Sequence, residues 1–194
     1  LGQPFIFSDR KTLERMAQVV QQAGDAGLTT TFAALRPRAF VTEDVADLSK
    51  AGLVHEARPE DTAFIQFSSG STSEPKGVVL THANLMAHSQ SVNQAGGFNE
   101  NDVSLSWMPL THDMGLIGFH LVMFAARVNA HLMPTELFVR RPLLWLAIAS
   151  SVRATILCSP NFGYRHYLKV LDDRSPGSLD LSPVRLIFNG AEPI

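Results

Sequence analysis

The ten residues Ser68-Ser69-Gly70-Ser71-Thr72-Ser73-Glu74-Pro75-Lys76-Gly77 concentrate hydroxyls, backbone amides and one cation. Hydroxyls of Ser68, Ser69, Ser71 and Thr72, with a row of backbone N–H groups, can donate to anionic oxygens. Gly70 and Gly77 permit tight backbone paths, and Lys76 supplies a point charge. The chemistry these groups suit is holding phosphates. The pattern differs from the Walker loop, which carries Gly-Lys-Ser/Thr and opens into a helix; here Pro75 precedes Lys76 and the strand-like run Gly77-Val78-Val79-Leu80 follows. A helix dipole is therefore not available to the anion. Loop amides, hydroxyls and Lys76 would do the binding, on a segment free to close over its ligand and reopen. A generic Ser/Gly cluster is an ordinary solvated turn; the order of residues here is more specific than that.

Other residues of chemical interest fall where strands give way to helices. His112 and Asp113 follow the run Val103–Trp107 and begin a helix-like stretch. An imidazole there could orient an anion, whereas Asp113 reads first as a helix cap. Asn189-Gly190-Ala191-Glu192 follows the apolar run ending at Phe188, and a loop at a strand's C-terminal end can reach ligand in an open α/β sheet. Glu192 alone could be a solvated acid. Asn161, Phe162 and Gly163 open another helical stretch, with core packing an equal reading for Phe162. The seven histidines show no metal-ligand spacing, so no metal site is expected. Trp107, Met108, Phe119, Met123 and Phe124 read as core.

The elements that must position these groups alternate. Pro4–Phe7 reads as a strand before helical spacing at Leu13, Met16, Val19 and Val20; the runs Val103–Trp107, Asn129–Met133 and Ala154–Cys158 each precede a helix-like stretch, at 114–126, 143–152 and 162–171. Repeated β-α units predict an α/β fold with a layered, largely parallel sheet flanked by helices. Thr62–Phe67 and Gly77–Leu80 are both strand candidates, which makes the Ser/Gly segment a strand-loop-strand element. The polar stretch 36–60 reads as an irregular connection without a domain boundary. With 16 basic and 18 acidic residues intermixed and a net charge of −2, nucleic-acid binding is disfavoured. No apolar run approaches the roughly 20 residues of a membrane span. The single Cys158 excludes an internal disulfide and, with no signal peptide visible, points to a cytoplasmic location.

From Phe67-Ser68-Ser69-Gly70-Ser71-Thr72 through Pro75-Lys76-Gly77-Val78-Val79-Leu80-Thr81-His82, the sequence resembles the signature loop of adenylate-forming (AMP-binding) enzymes. Trp107-Met108-Pro109-Leu110-Thr111-His112-Asp113-Met114-Gly115-Leu116 and Asn189-Gly190-Ala191-Glu192-Pro193 fit further motifs in the right order. With Ser159-Pro160-Asn161-Phe162-Gly163-Tyr164 between them, they look most like the fatty acyl-AMP ligase branch. Ser73 departs from the resemblance, which has glycine there. If its φ is positive, the serine carries strain.

The resemblance implies part of the large N-terminal domain of such an enzyme over residues 1–194, without its C-terminal domain. It implies a reaction in which a carboxylate, here a fatty acid, attacks the α-phosphate of ATP. Pyrophosphate leaves, and the acyl group passes to the phosphopantetheine thiol of an acyl carrier protein, or to coenzyme A in the acyl-CoA synthetase alternative. By the same resemblance Ser68, Ser69, Gly70, Ser71, Thr72, Ser73, Lys76 and Gly77 hold phosphates, with Lys76 and His112 catalytic. Asn189, Gly190, Ala191 and Glu192 meet adenine, and His112, Asp113, Asn161, Phe162 and Gly163 meet the acyl substrate. Mg2+ accompanies ATP, its ligand expected beyond Ile194, and the 194 residues alone are expected to adenylate poorly. A non-catalytic nucleotide- or acyl-binding module is an alternative from another class, and an amino-acid-selecting adenylation domain ranks third.

Overall fold

Strand-forming runs and amphipathic stretches alternate in the computed structural model much as the pattern requires; residues 4–45, 49, 52–68, 76–173 and 175–190 are described. The chain divides into two compact units, Leu1–Glu56 and Ala57–Ile194. The stretch 36–60, expected to carry no boundary, therefore contains one. It also holds a short strand and two 3-10 turns, Arg36–Arg38 and Thr42–Asp44.

In the first unit, β1 (Ile6–Ser8) and β2 (Ala39–Val41) pair in parallel, with α1 (Arg10–Ala23) and α2 (Ala26–Leu35) between them in sequence. Asp9 and Asp25 cap the two helices, accepting from the Thr12 and Leu28 N–H groups at 2.7 and 2.9 Å. Gly24 ends α1 at φ 62°, a left-handed conformation that favours glycine. Phe7 stacks on Phe40 across the strand pair, and the Arg10 guanidinium bonds Asp44.

The second unit begins with a hairpin, β3 (Thr62–Ser68) and β4 (Lys76–Thr81), antiparallel, with Ser68 opposite Lys76 and Gln66 opposite Val78. The two strands expected on either side of the Ser/Gly segment are both present. A capping box follows at once: Thr81 and Asn84 exchange side-chain to backbone bonds and start α3 (His82–Gly96). The main sheet has four parallel strands in the order β6 (Asn129–Leu132), β5 (Val103–Ser106), β7 (Ile156–Ser159), β8 (Leu186–Asn189). Its crossovers carry α4 (Val122–Ala125), α5 (Thr135–Arg140), α6 (Leu143–Val152) and α7 (Asn161–Leu171). Every residue of β7 is buried, as expected of a strand covered on both faces.

The core joins this sheet to its helices around Trp107, Phe138 and Trp145. The Trp107 and Phe138 rings stack at 3.9 Å, and Trp145 meets Phe138 edge-on at 5.9 Å. Each such buried side chain contributes roughly 1.5–3 kcal/mol. Trp107, Met108, Phe119 and Met123 are buried as expected, but Phe124 is 80% exposed. Within the helical stretch the buried positions Gly115, Phe119, Val122 and Met123 keep helical spacing, and Phe124 falls off that face. Val122 and Met123 turn inward and Phe124 outward. The lone Cys158 lies on β7, where burial pushes its thiol up to about 12 and a hydrogen bond to Ser106 opposes this only in part. It stays protonated and is no nucleophile.

Candidate active site

β5 and β8 run in the same direction, so both release their following loops at one edge of the sheet. From β5 the chain passes through Trp107-Met108-Pro109 to His112. Three bonds fix that turn. The Ser106 hydroxyl accepts from the Met108 N–H at 3.1 Å, the Thr135 hydroxyl donates to the Trp107 carbonyl at 2.8 Å, and the His112 N–H donates to the Pro109 carbonyl at 3.1 Å. Ser106 and Thr135 were not singled out from sequence, because a hydroxyl residue in or after a strand carries no distinguishing pattern.

Asp113 caps the π-helical segment, its Oδ1 accepting the Met114 N–H at 2.7 Å. The same carboxylate lies 2.8 Å from His112 Nδ1, and that nitrogen is 3.3 Å from the Met114 N–H. Nδ1 can therefore donate to Asp113 when it carries a proton or accept from Met114 when it does not. Both side chains are at least half exposed. The cap reading of Asp113 and its place beside His112 hold together.

Two clefts meet at this turn. The first, about 380 Å³, lies between the hairpin and the turn, with Gln66, Val78 and Leu80 on one wall and Thr111, His112 and Asp113 on the other. The second, about 480 Å³, lies between α3 and the end of β8; its walls include His88, Phe188, Asn189 and Gly190. Asp113 and Ile117 line both. A Cβ on Gly190 would lie 3.9 Å from Met114 Cε, so the adenine candidate and the His112 turn are neighbours.

The structure thus brings His112, Asp113, Asn189 and Gly190 together with the hairpin. Lys76 is exposed at the start of β4, and Gly77 follows, pairing with Phe67. A Cβ on Gly77 would sit 3.0 Å from Ile65 Cγ2, a close approach that favours glycine. Ser69, Gly70, Ser71, Thr72, Ser73, Ala191 and Glu192 lie outside the described residues, as does the side chain of Ser68. Asn161, Phe162 and Gly163 line neither cleft. Phe162 meets the Trp107 ring edge-on at 5.7 Å, and Gly163 is buried where a Cβ would come within 2.2 Å of Ser159 Oγ and 2.6 Å of Trp107. Among the described residues no group of three His, Cys, Asp or Glu could hold a metal, and no helix is long and apolar enough to cross a membrane.

At the opposite edge of the sheet stands a cluster absent from the sequence reading. Buried Asp102 receives Arg185 Nε and Nη2 at 2.8 and 2.6 Å and the Thr155 hydroxyl at 2.7 Å. Arg185 also donates to the carbonyls of Gly96 and Gly97, each at 3.1 Å. The three residues immediately precede β5, β7 and β8, so the cluster ties the strand starts together while the loops at the other ends build the clefts.

The family described as AMP-binding enzyme matches residues 5–194. The medium-chain-fatty-acid–(acyl-carrier-protein) ligase TtuA of Teredinibacter turnerae is 41% identical over 138 residues, 71% of this chain and 22% of that protein. The fatty acyl-adenylate ligase of L. pneumophila, solved with acyl adenylate and pyrophosphate, superposes with a TM-score of 0.77 at 34% identity, over 87% of this chain and 30% of that one. The adenylation domain of a keto acid-selecting NRPS module gives 0.84 at 31% identity, over 97% and 32%. The chain spans about a quarter of the length of the curated relatives it matches.

Proposed function

Because this chain belongs to the family of AMP-binding enzymes, we propose that its two joined clefts serve ATP-dependent activation of a fatty acid to an acyl-adenylate. The observation that carries this reading is the meeting of the hairpin, the His112 turn and Asn189-Gly190 at a shared wall formed by Asp113 and Ile117. In the proposed reaction a carboxylate oxygen of the acid attacks the α-phosphorus of ATP, the bond to the β-phosphate oxygen breaks, and pyrophosphate leaves.

Lys76, exposed where β4 begins, would balance charge on the leaving phosphates, with Ser68 to Ser73 and Gly77 donating to them. His112 would orient the carboxylate against the α-phosphate, held in place by Asp113. Asn189, Gly190, Ala191 and Glu192 would take the adenine, and the region of Asn161, Phe162 and Gly163 the acyl chain. Magnesium would neutralise phosphate charge when bound. The names of two ligases matched support an acyl carrier protein thiol as acceptor, while that of a putative acyl-CoA synthetase of Caulobacter vibrioides, 42% identical, supports coenzyme A as the alternative.

The test is ATP–pyrophosphate exchange across fatty, aryl and amino acids. It is assayed on a chimaera in which this chain replaces the matching segment of the Teredinibacter turnerae ligase. Exchange is expected with fatty acids, and Lys76→Ala is expected to lower it about 10²-fold or more, the usual effect of losing one charge-stabilising donor. Exchange indifferent to that substitution would remove Lys76 from the phosphate site, and dependence on amino acids alone would move the chain to the amino-acid-selecting branch.

A further inference from the structure

Glycine in the interior of a helix is about 1 kcal/mol less favourable than alanine, so a glycine kept there calls for a reason. At Gly27, Gly96, Gly115 and Gly163 the reason is space: a Cβ on each would meet another atom of the fold at 3.1 Å or closer. Gly118 is the exception among the described glycines within helices. It lies between Ile117 and Phe119 in the π-helical segment Met114–Leu121, its φ is not positive, and a Cβ on it would find nothing within 4 Å. Neither its backbone conformation nor packing against the described residues asks for glycine. Gly118 does form part of the wall of the second cleft. A side chain there would stand in the cleft.

The rest of the cleft narrows what uses that space. Its lining is mostly apolar, and the Phe188 ring is met edge-on by Phe98 at 6.2 Å and by Phe119 at 5.4 Å, an interlocked aromatic wall that yields little. Asp113 and Gly118 stand five residues apart, one turn of a π-helix, and buried Met123 lies five further on; all three line the cleft. The cleft therefore follows this segment from the His112 turn towards Met123. An acid whose carboxylate is held at His112, beside Asp113, would lay its chain past Gly118. We propose that Gly118 is a specificity-determining residue, its missing side chain leaving the width through which an unbranched acyl chain passes along the second cleft. This rests on the adenylation reading and deepens it, for it takes the chain along a wall that residues 161–163 do not form.

The experiment pairs thermal melting with ATP–pyrophosphate exchange in the chimaera, across straight-chain acids from butyrate to palmitate. Gly118→Ala is expected to melt at or above the unsubstituted chimaera, since alanine is the better helix former. Gly118→Leu is expected to lower exchange with the longest acids about tenfold or more, as when an apolar pocket loses room for a methylene, with the loss shrinking as the chain shortens. Gly118→Ala should shift the profile less and in the same direction, and the KM for ATP should stay unchanged in both. A marked fall in melting temperature for Gly118→Ala would make the glycine a packing requirement of the fold. A loss in Gly118→Leu that is equal for every acid, or no loss at all, would overturn the proposal. So would a chain-length shift in Phe162→Ala with Gly118→Leu inert, which would return the chain to the region of residues 161–163. Absence of exchange with any fatty acid in the unsubstituted chimaera would instead remove the adenylation reading itself, and with it the proposal.

Discussion

Asp102→Ala is expected to destabilise the chain by about 2–3 kcal/mol, because the buried carboxylate accepts several hydrogen bonds while the Arg185 left behind stays more than a third exposed. The carboxylate is almost wholly inaccessible and accepts from Arg185 twice, from the Thr155 hydroxyl, and from the Asn99 backbone and side chain. Its loss leaves the Arg185 charge and the Thr155 hydroxyl without their shared acceptor, at the point where three strands begin. Urea unfolding of the two proteins would measure the difference; a change below about 1 kcal/mol would mean that the cluster can be re-solvated. The same bonds predict a pH dependence. Hydrogen bonding from Arg185, then from Thr155 and Asn99, lowers the Asp102 carboxyl to about 2 against the opposing effect of burial. A folded-state value below the unfolded one, about 3.9, gives stability that is present in full above the unfolded value. It is lost as pH falls through the folded value. The contribution is about 2–3 kcal/mol, so unfolding free energy should decline between about pH 4 and 2 in the native chain and decline less in the variant.

Gly115→Ala should be the most damaging small change near the site. Gly115 is buried in the π-helical segment, and an added Cβ would lie 2.3 Å from the Pro109 carbonyl oxygen, 2.9 Å from its carbon and 3.0 Å from the Met108 oxygen. All three are backbone atoms and cannot swing aside, so the turn from Met108 to His112 must move. Overpacking of this kind is destabilising by about 1–3 kcal/mol. Since the His112 N–H is bonded to that same Pro109 carbonyl, the imidazole moves with the turn. A misplacement on the order of 1 Å at a reacting group can lower rate about 10²-fold. Exchange activity in the chimaera should therefore drop out of proportion to the change in melting temperature. Ile156→Val is the control: it removes a buried methyl group from β7 at a position that lines neither cleft, so stability should fall by about 0.5–1.5 kcal/mol with little change in exchange activity. Equal behaviour of the two variants would detach the His112 turn from Gly115.

What was legible in the sequence is what period and punctuation encode. The hairpin could be read because two β-rich runs flank a Ser/Gly segment, and the parallel sheet because short strand-like runs alternate with helical spacing. His112 and Asp113 were legible from their place after a strand. Phe124 was not, since Leu121 to Ala126 is apolar throughout and the run itself does not say which side faces the core. Asp102 and Arg185 were hidden for another reason: an ion pair leaves no trace in spacing when its partners are 83 residues apart. The boundary near residue 56 lies in a polar stretch whose composition matches an ordinary surface connection.

The order β6-β5-β7-β8 has a consequence in time. β5 pairs with β7 across some fifty residues, Ser104 opposite Ile156, and β7 with β8 across some thirty, Ile156 opposite Leu186. Non-local parallel pairings spend loop-closure entropy before any ladder bond rewards it, which makes such sheets slow to assemble. By that measure the joining of β5 to β7 is the costlier closure, and the Arg185–Asp102 pair, whose partners are 83 residues apart, spans both pairings at once.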